Sequence, residues 1–167
     1  PARKKMGKKT IFNLIGPLSN PAQVKRQVIG VFDKKWMKPF AEALKENGVV
    51  HAYIVHSEDG MDEISPFEKT NVVELKEGNI TRFSIDPKNL GLNPSNKENL
   101  KGKNAKYNSE KIIEIYKGKN NEFSQSVALN VAAGLIVSSK ENNFKLAFER
   151  ATKHLNSGNV FQYLKKI

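Results

Sequence analysis

The sequence contains no cysteine, which excludes disulfide bonds and thiolate metal sites. It also has no hydrophobic run close to the roughly 18 apolar residues that a membrane span requires, so no contact with a membrane is expected. The first ten residues are basic rather than apolar and do not have the pattern of a secretory signal. These absences together predict a cytoplasmic protein.

Acidic residues are outnumbered, with 17 Asp and Glu against 28 Lys and Arg and a formal net charge of +11. An excess of positive charge can serve nucleic-acid binding, because clustered cations neutralise phosphates. Here the lysines are scattered, arginine occurs only at Arg3, Arg26, Arg82 and Arg150, and aromatic residues make up only 8%. Nucleic-acid binding is therefore not expected. The anionic partner of these cations could equally be a small phosphorylated substrate.

Alternating segments at the start of the chain predict an α/β fold. Residues 27–32 (QVIGVF) and 51–56 (HAYIVH) are compact β-branched runs that predict buried strands. Between them, residues 35–47 have apolar side chains at helical spacing, and Gly48 is a suitable helix end. Strand, helix and strand in succession predict a parallel βαβ unit. With 167 residues and 38% hydrophobic composition, residues 1–167 are expected to form one domain.

The second half of the chain predicts a hairpin followed by helices. Residues 71–75 and 80–85 are strand-like and separated by a short turn, and residues 86–108 predict an irregular connection. Helical patterns then cover residues 109–116, 124–138 and 143–155, with Gly158 as the end of the last one. The expected architecture is a parallel-rich sheet with flanking helices.

The most acidic segment follows the second predicted strand and contains Glu58, Asp59, Asp62 and Glu63. Ligands of α/β proteins usually bind beyond the carboxyl ends of parallel strands. Carboxylate oxygens suit Mg²⁺, which proteins often hold through one or two carboxylates plus substrate phosphates. From spacing alone a solvated acidic turn is favoured, because acidic pairs are common in loops.

The amino-terminal segment offers a second candidate site. Gly16 permits close backbone approach to a ligand and Pro17 restricts the chain, although Gly-Pro pairs more often mark ordinary turns. Arg3 could pair with a carboxylate or a phosphate, or lie in solvent. No nucleophile-plus-base pattern, P-loop or dinucleotide fingerprint is present, and the histidines are expected to be structural or exposed. Residue chemistry alone therefore leads to an α/β domain with a candidate Mg²⁺ and phosphate site.

The order of the segments closely resembles a known enzyme family. Residues 3–21 (RKKMGKKTIFNLIGPLSNP) resemble the amino-terminal signature of the α/β portion of anthranilate phosphoribosyltransferases. The segments HAYIVHSEDGMDEISP and ALNVAAGL are also similar to that family. The resemblance covers essentially the whole chain and implies the fold of the carboxy-terminal domain of nucleoside phosphorylases and phosphoribosyltransferases.

The resemblance implies a function in tryptophan biosynthesis. The amine of anthranilate would displace pyrophosphate from C1 of phosphoribosyl pyrophosphate, with Mg²⁺ as the cofactor. By this resemblance Asp62 and Glu63 would hold Mg²⁺, Arg3 would bind the anthranilate carboxylate, and Gly16 and Pro17 would line the path of the aromatic ring.

The sequence departs from the family pattern in three respects. The helical amino-terminal domain, the GTGGD loop and the KHGNR-type segment of the family are absent from these 167 residues. We therefore expect a fragment of a larger two-domain enzyme, inactive alone, whose complete form is a homodimer through the missing domain. The alternatives are a nucleic-acid-binding relative of the same fold and a related nucleoside phosphorylase.

Overall fold

The computed structural model describes residue 16, residues 18–93 and residues 97–166. These residues contain a four-stranded sheet in the order β1-β2-β3-β4, with strands Arg26–Gly30, His51–Ser57, Thr70–Lys76 and Asn79–Ile85. The β1–β2 pair is parallel, and the β2–β3 and β3–β4 pairs are antiparallel. The predicted α/β class with flanking helices is confirmed, and the sheet formed by the described residues is mixed.

The parallel pair is joined by helix α1, Met37–Glu46, which completes the predicted βαβ unit. A 3₁₀ turn at Lys34–Trp36 precedes α1, and Asp33 caps this turn by accepting a hydrogen bond from the backbone N–H of Lys35. The apolar side of α1 is buried against the sheet, as its helical spacing predicts. Gly48 ends the helix with a φ of 69°, a conformation that glycine adopts without steric cost.

The predicted hairpin is confirmed and closes through a two-residue turn. Lys76 pairs with Asn79, and the intervening Glu77 and Gly78 have φ values of 49° and 80°. Two consecutive positive φ angles are typical of the type I′ turn, whose twist matches that of antiparallel strands.

Four helices follow in the described part of the chain: α2 (Ala105–Tyr116), α3 (Glu122–Val137), α4 (Phe144–Asn156) and α5 (Asn159–Leu164). The prediction of an irregular connection up to residue 108 is wrong at its end, because Asn104 caps α2 by accepting a hydrogen bond from Tyr107 N–H at 2.9 Å. Gly158 does end α4, but α5 begins directly after it. No helix in the described ranges has the length and apolar character to cross a membrane.

Two apolar cores lie on opposite faces of the sheet. Alternate residues of β2 point in opposite directions, so Ala52 and Ile54 contact the α1 side while Tyr53 and Val55 contact the side of helices α2 to α5. Helix α3 lies in the second core, where Leu129 is fully buried. This packing places the loop that follows β2 at the carboxyl end of the parallel pair, within reach of α3.

Candidate functional site

Residues 58–66, here called the acidic loop, leave β2 at the carboxyl end of the parallel pair. The loop starts with a tight turn in which Ser57 N–H donates to Met61 O at 2.9 Å and Gly60 N–H donates to Ser57 O at 2.9 Å. It ends at residues 64–66, which are all buried. The predicted acidic segment thus lies where α/β proteins usually bind ligands.

Asp59 holds the loop together from within. Its side chain, only 5% exposed, accepts hydrogen bonds from Ser65 Oγ at 2.8 Å and Met61 N–H at 3.2 Å, and lies 3.3 Å from Lys97 Nζ. Burial by itself would raise the pKa of Asp59, but the hydrogen bonds from Ser65, Met61, Ser57 and Lys97 together hold the pKa below its usual value. Asp59 is therefore a structural carboxylate rather than a free ligand.

Glu58 is also engaged, but at the surface. It accepts a hydrogen bond from Asn71 Nδ2 at 2.7 Å and forms an ion pair with Lys34 Nζ at 3.2 Å. The hydrogen bond from Asn71, followed by that from Lys34, lowers the pKa of Glu58. These contacts join the loop to β3 and to the 3₁₀ turn before α1.

Asp62 and Glu63 are different from their neighbours because their carboxylates are exposed and form no hydrogen bond or ion pair with the described residues. Crowding by protein atoms, and then the adjacent charge of Asp62, raise the pKa of Glu63. A cation bound between the two carboxylates would relieve this repulsion. The sequence prediction that these two residues form the ligand pair is thus compatible with their geometry.

The donor set suits Mg²⁺ better than a structural metal. Among the described residues no group of three or more His, Cys, Asp or Glu side chains could enclose a metal ion. Mg²⁺ does not require such a cage, since it keeps several waters and binds through one or two carboxylates together with substrate phosphates. Asp62 and Glu63 therefore fit an ion whose remaining ligands come from water and substrate.

Gly30, at the end of β1, contacts the backbone of the acidic loop. A Cβ placed on Gly30 would lie 1.5 Å from the backbone oxygen of Asp62 and 2.5 Å from its carbonyl carbon. The backbone of Asp62 thus occupies the space that any other residue at position 30 would fill. Sequence reasoning missed this role, although a glycine within a strand is a known indication of close backbone approach.

Asn130, on α3, supports the loop from the other side and was also missed as a site residue. Its side-chain amide forms hydrogen bonds with both the N–H and the carbonyl of Ile64, the residue after Glu63. The signal available in the sequence was a polar residue within the apolar segment ALNVAAGL, because a polar side chain in a buried helix needs a partner.

The predicted anthranilate site is only partly covered by the structure. Arg3 and Pro17 lie outside the described residues. Gly16 is exposed, and a Cβ placed on it would meet nothing within 4 Å. Among the described residues, Asp62 and Glu63 are consecutive and exposed, and no contact joins Gly16 to the acidic loop.

Two histidines and the lysines beside α1 have partners among the described residues. His51 is buried and its Nε2 lies 2.8 Å from Glu74 Oε1, while His56 Nδ1 lies 2.8 Å from Val31 O. A basic groove of about 600 Å³ runs beside α1, β3 and β4. Its lysines are each paired with a carboxylate: Lys34 with Glu58, Lys35 with Asp33, and Lys38 with Glu42. This pairing does not favour nucleic-acid binding.

Comparison with known proteins identifies the family of the chain. The family described as "Glycosyl transferase family, a/b domain" matches residues 1–161. The chain belongs to this glycosyl transferase family. Among curated members, it is 55% identical over 167 residues to an anthranilate phosphoribosyltransferase of Pelagibacter ubique (strain HTCC1062) and 44% identical over 167 residues to one of Parvibaculum lavamentivorans. It spans about half the length of these relatives, 51% and 49% respectively.

Solved structures of the glycosyl transferase family have the same fold. Anthranilate phosphoribosyltransferase from Thermus thermophilus superimposes with a TM-score of 0.87 at 34% identity, over 99% of this chain and 49% of that one. The Saccharomyces cerevisiae enzyme, solved in complex with PRPP and Mg, gives a TM-score of 0.84 at 27% identity, over 98% of this chain and 47% of that one.

Proposed function

We propose that this chain supplies the α/β part of an anthranilate phosphoribosyltransferase of tryptophan biosynthesis. The observation that carries the proposal is the exposed Asp62–Glu63 pair at the carboxyl end of the parallel strands, which has no partner among the described residues, in a loop whose other carboxylates are engaged. Similarity to proteins of that name over the whole chain supports it. That similarity favours the anthranilate enzyme over a nucleoside phosphorylase.

In the proposed reaction the amine nitrogen of anthranilate forms a bond to C1 of phosphoribosyl pyrophosphate. The bond from C1 to the pyrophosphate oxygen breaks, pyrophosphate leaves with the bonding electrons, and the amine loses a proton. The protein's main tasks are to align a weakly nucleophilic amine and to offset the charge of the leaving group.

Asp62 and Glu63 would hold Mg²⁺ against the pyrophosphate. When bound, Mg²⁺ supplies the positive charge that stabilises the leaving group and orients the phosphates. Asp59 and Glu58 hold the conformation of the loop through their own hydrogen bonds, whereas Asp62 and Glu63 form none with the part of the chain that the structure describes. A structure of the Saccharomyces cerevisiae enzyme with PRPP and Mg supports the choice of cofactor.

Residues near the amino terminus would bind anthranilate. In this proposal the guanidinium of Arg3 pairs with the anthranilate carboxylate, and Gly16 and Pro17 line the approach of the ring. The exposure of Gly16 supports an approach along this segment. A solved complex of the Saccharomyces cerevisiae enzyme with 4-fluoroanthranilate supports the substrate class.

The remaining features of the proposal concern the complete protein. We expect residues 1–167 to act as one α/β domain within a two-domain, cytoplasmic enzyme that forms a homodimer through its helical domain. The half-length match to curated relatives supports a larger functional unit. Light scattering of the protein expressed from its complete reading frame tests the dimer, and a monomeric mass at assay concentration would contradict it.

The metal role is tested with the double variant Asp62→Asn, Glu63→Gln in the protein expressed from its complete reading frame. We expect the double variant to abolish Mg²⁺-dependent formation of phosphoribosyl-anthranilate. This formation is monitored as the loss of anthranilate fluorescence. Glu58→Gln is the matched control, since it changes a carboxylate of the same loop that is paired with Lys34. Unchanged turnover in the double variant would refute the assignment.

Substrate binding and the nucleic-acid alternative are tested separately. Arg3→Ala should raise the KM for anthranilate while leaving the KM for phosphoribosyl pyrophosphate unchanged, and an unchanged anthranilate KM would remove Arg3 from the site. Tight, strongly salt-dependent binding of single-stranded DNA, without anthranilate binding, would favour the nucleic-acid-binding relative instead.

A further inference from the structure

We infer that Asn130 is a positioning residue that fixes the Asp62–Glu63 pair by holding the backbone of the residue that follows it. This inference rests on the proposed metal role of the pair. Ile64 N–H donates to Asn130 Oδ1 at 3.1 Å, and Asn130 Nδ2 donates to Ile64 O at 3.2 Å. One side chain on α3 therefore satisfies both polar backbone groups of Ile64.

The orientation of Asn130 is itself fixed. Its Nδ2 also donates to the backbone oxygen of Ser126, one turn earlier on α3, at 2.9 Å. Both hydrogens of the amide are thus used, and the side chain has little freedom to rotate. Helix α3 packs on β1 and β2, so the amide is attached to the rigid part of the fold.

Ile64 needs this partner because its side chain is fully buried. Backbone polar groups beside a buried side chain have poor access to water, and an unpaired buried group costs about 1–3 kcal/mol. Without Asn130, the loop would have to shift to satisfy them. Such a shift would move Glu63 directly, because Glu63 and Ile64 are consecutive.

Gly30 and Asn130 hold the two sides of the pair. The Asp62 carbonyl lies against Gly30 on β1, and the Ile64 backbone is held by Asn130 on α3. The two candidate ligands lie between these supports along the chain, and their carboxylates have no partner within the described ranges. Groups that hydrogen-bond to metal ligands typically change metal affinity about 10- to 100-fold when they are replaced, and Asn130 acts on the backbone of the residue next to the pair.

Position 130 requires a side chain that both accepts and donates hydrogen bonds. Aspartate has the same shape and can accept from Ile64 N–H, but when ionised it cannot donate to the carbonyl groups of Ile64 and Ser126. Alanine removes all three hydrogen bonds. Both changes should therefore weaken the Mg²⁺ site without touching the ligands themselves.

The test compares Asn130→Ala, Asn130→Asp and Leu155→Ala in the protein expressed from its complete reading frame. Leu155 is buried on α4 in the same core, so Leu155→Ala destabilises the fold without removing a hydrogen bond to the acidic loop. For each variant the Mg²⁺ concentration for half-maximal turnover is measured with both substrates saturating. Binding of Mn²⁺ in the presence of pyrophosphate is measured in parallel by electron paramagnetic resonance.

We expect both Asn130 variants to raise the half-maximal Mg²⁺ concentration and the Kd for Mn²⁺ by about 10-fold or more, with the KM for anthranilate unchanged. Leu155→Ala should lower the thermal midpoint and leave both metal values unchanged. Unaltered metal values in either folded Asn130 variant, or an equal change in Leu155→Ala, would overturn the positioning role. An unsubstituted protein that neither turns over nor binds Mn²⁺ with pyrophosphate would refute the proposed function instead.

Discussion

Replacing Gly30 with alanine probes the coupling between β1 and the candidate metal ligands. Ordinary van der Waals contact begins at 3.4 Å, whereas the new methyl carbon would lie 1.5 Å from Asp62 O. The difference requires a movement of about 2 Å, shared between β1 and the acidic loop. Because β1 is paired with β2 along its whole length, we expect the loop to move more than the strand.

Two consequences of Gly30→Ala can be measured. Displacing reactive groups by about 1 Å can cost roughly 100-fold in rate, so Mg²⁺-dependent turnover should fall by at least that factor. Insertion of a methyl group into a packed site typically destabilises a protein by about 1–3 kcal/mol, which urea unfolding would detect. The loss of turnover should therefore be far larger than the change in the folded fraction at assay temperature.

Gly134→Ala is the matched control for Gly30→Ala. Gly134 lies within α3, and a Cβ placed there would meet nothing within 4 Å. Alanine in the helix should stabilise the protein by about 0.5–1 kcal/mol and leave turnover unchanged. Full Mg²⁺-dependent activity in Gly30→Ala would show that the contact with Asp62 does not position the site, and the reasoning would fail.

Four further substitutions test the stability of the fold and its pH dependence. Asp59→Ala should destabilise the protein by about 1–3 kcal/mol in urea unfolding at neutral pH, because the donors to Asp59 are left unpaired. Glu58→Ala should change the stability little, since Glu58 lies at the surface. Since the pKa of Asp59 is lowered, the difference in stability between Asp59→Ala and the unsubstituted protein should disappear only as the pH falls through that lowered value. A difference that persists below that pH would refute the structural role of the Asp59 carboxylate. The pKa of Glu63 is raised by crowding from protein atoms and then by the charge of Asp62, so its ionised form destabilises the fold. Glu63→Gln should therefore raise the thermal midpoint at neutral pH in metal-free buffer, and the difference from the unsubstituted protein should vanish as the pH falls through the pKa of Glu63. Leu129→Ala, at a fully buried position, should cost about 2–5 kcal/mol, and a loss below about 1 kcal/mol would contradict the packing of α3.

The α/β architecture could be predicted from the sequence because local patterns determine it. The apolar runs at β1 and β2, the helical spacing of α1 and the Glu77-Gly78 turn each specify their own backbone conformation. The start of α2 was missed because its signal is a single capping residue, Asn104, rather than a periodic pattern.

The chemical character of the acidic loop was also present in the sequence, but the separate roles of its carboxylates were not. Asp59 and Glu63 have the same charge and lie only a few residues apart, yet one is paired with Ser65 and Lys97 while the other is unpaired among the described residues. Which carboxylate finds a donor depends on the fold, because Lys97 is distant in sequence.

The sequence by itself therefore determined the local elements, the order of the strands and helices, and the segment that carries the candidate ligands. Only the tertiary structure decided how that segment is held. Gly30 and Asn130 come from different elements, and nothing local to either residue shows that they contact the loop. Their roles arise because α3 and the loop pack against the same end of the sheet. There the loop backbone needs the space left by the missing Cβ of Gly30 and the hydrogen bonds of the Asn130 amide.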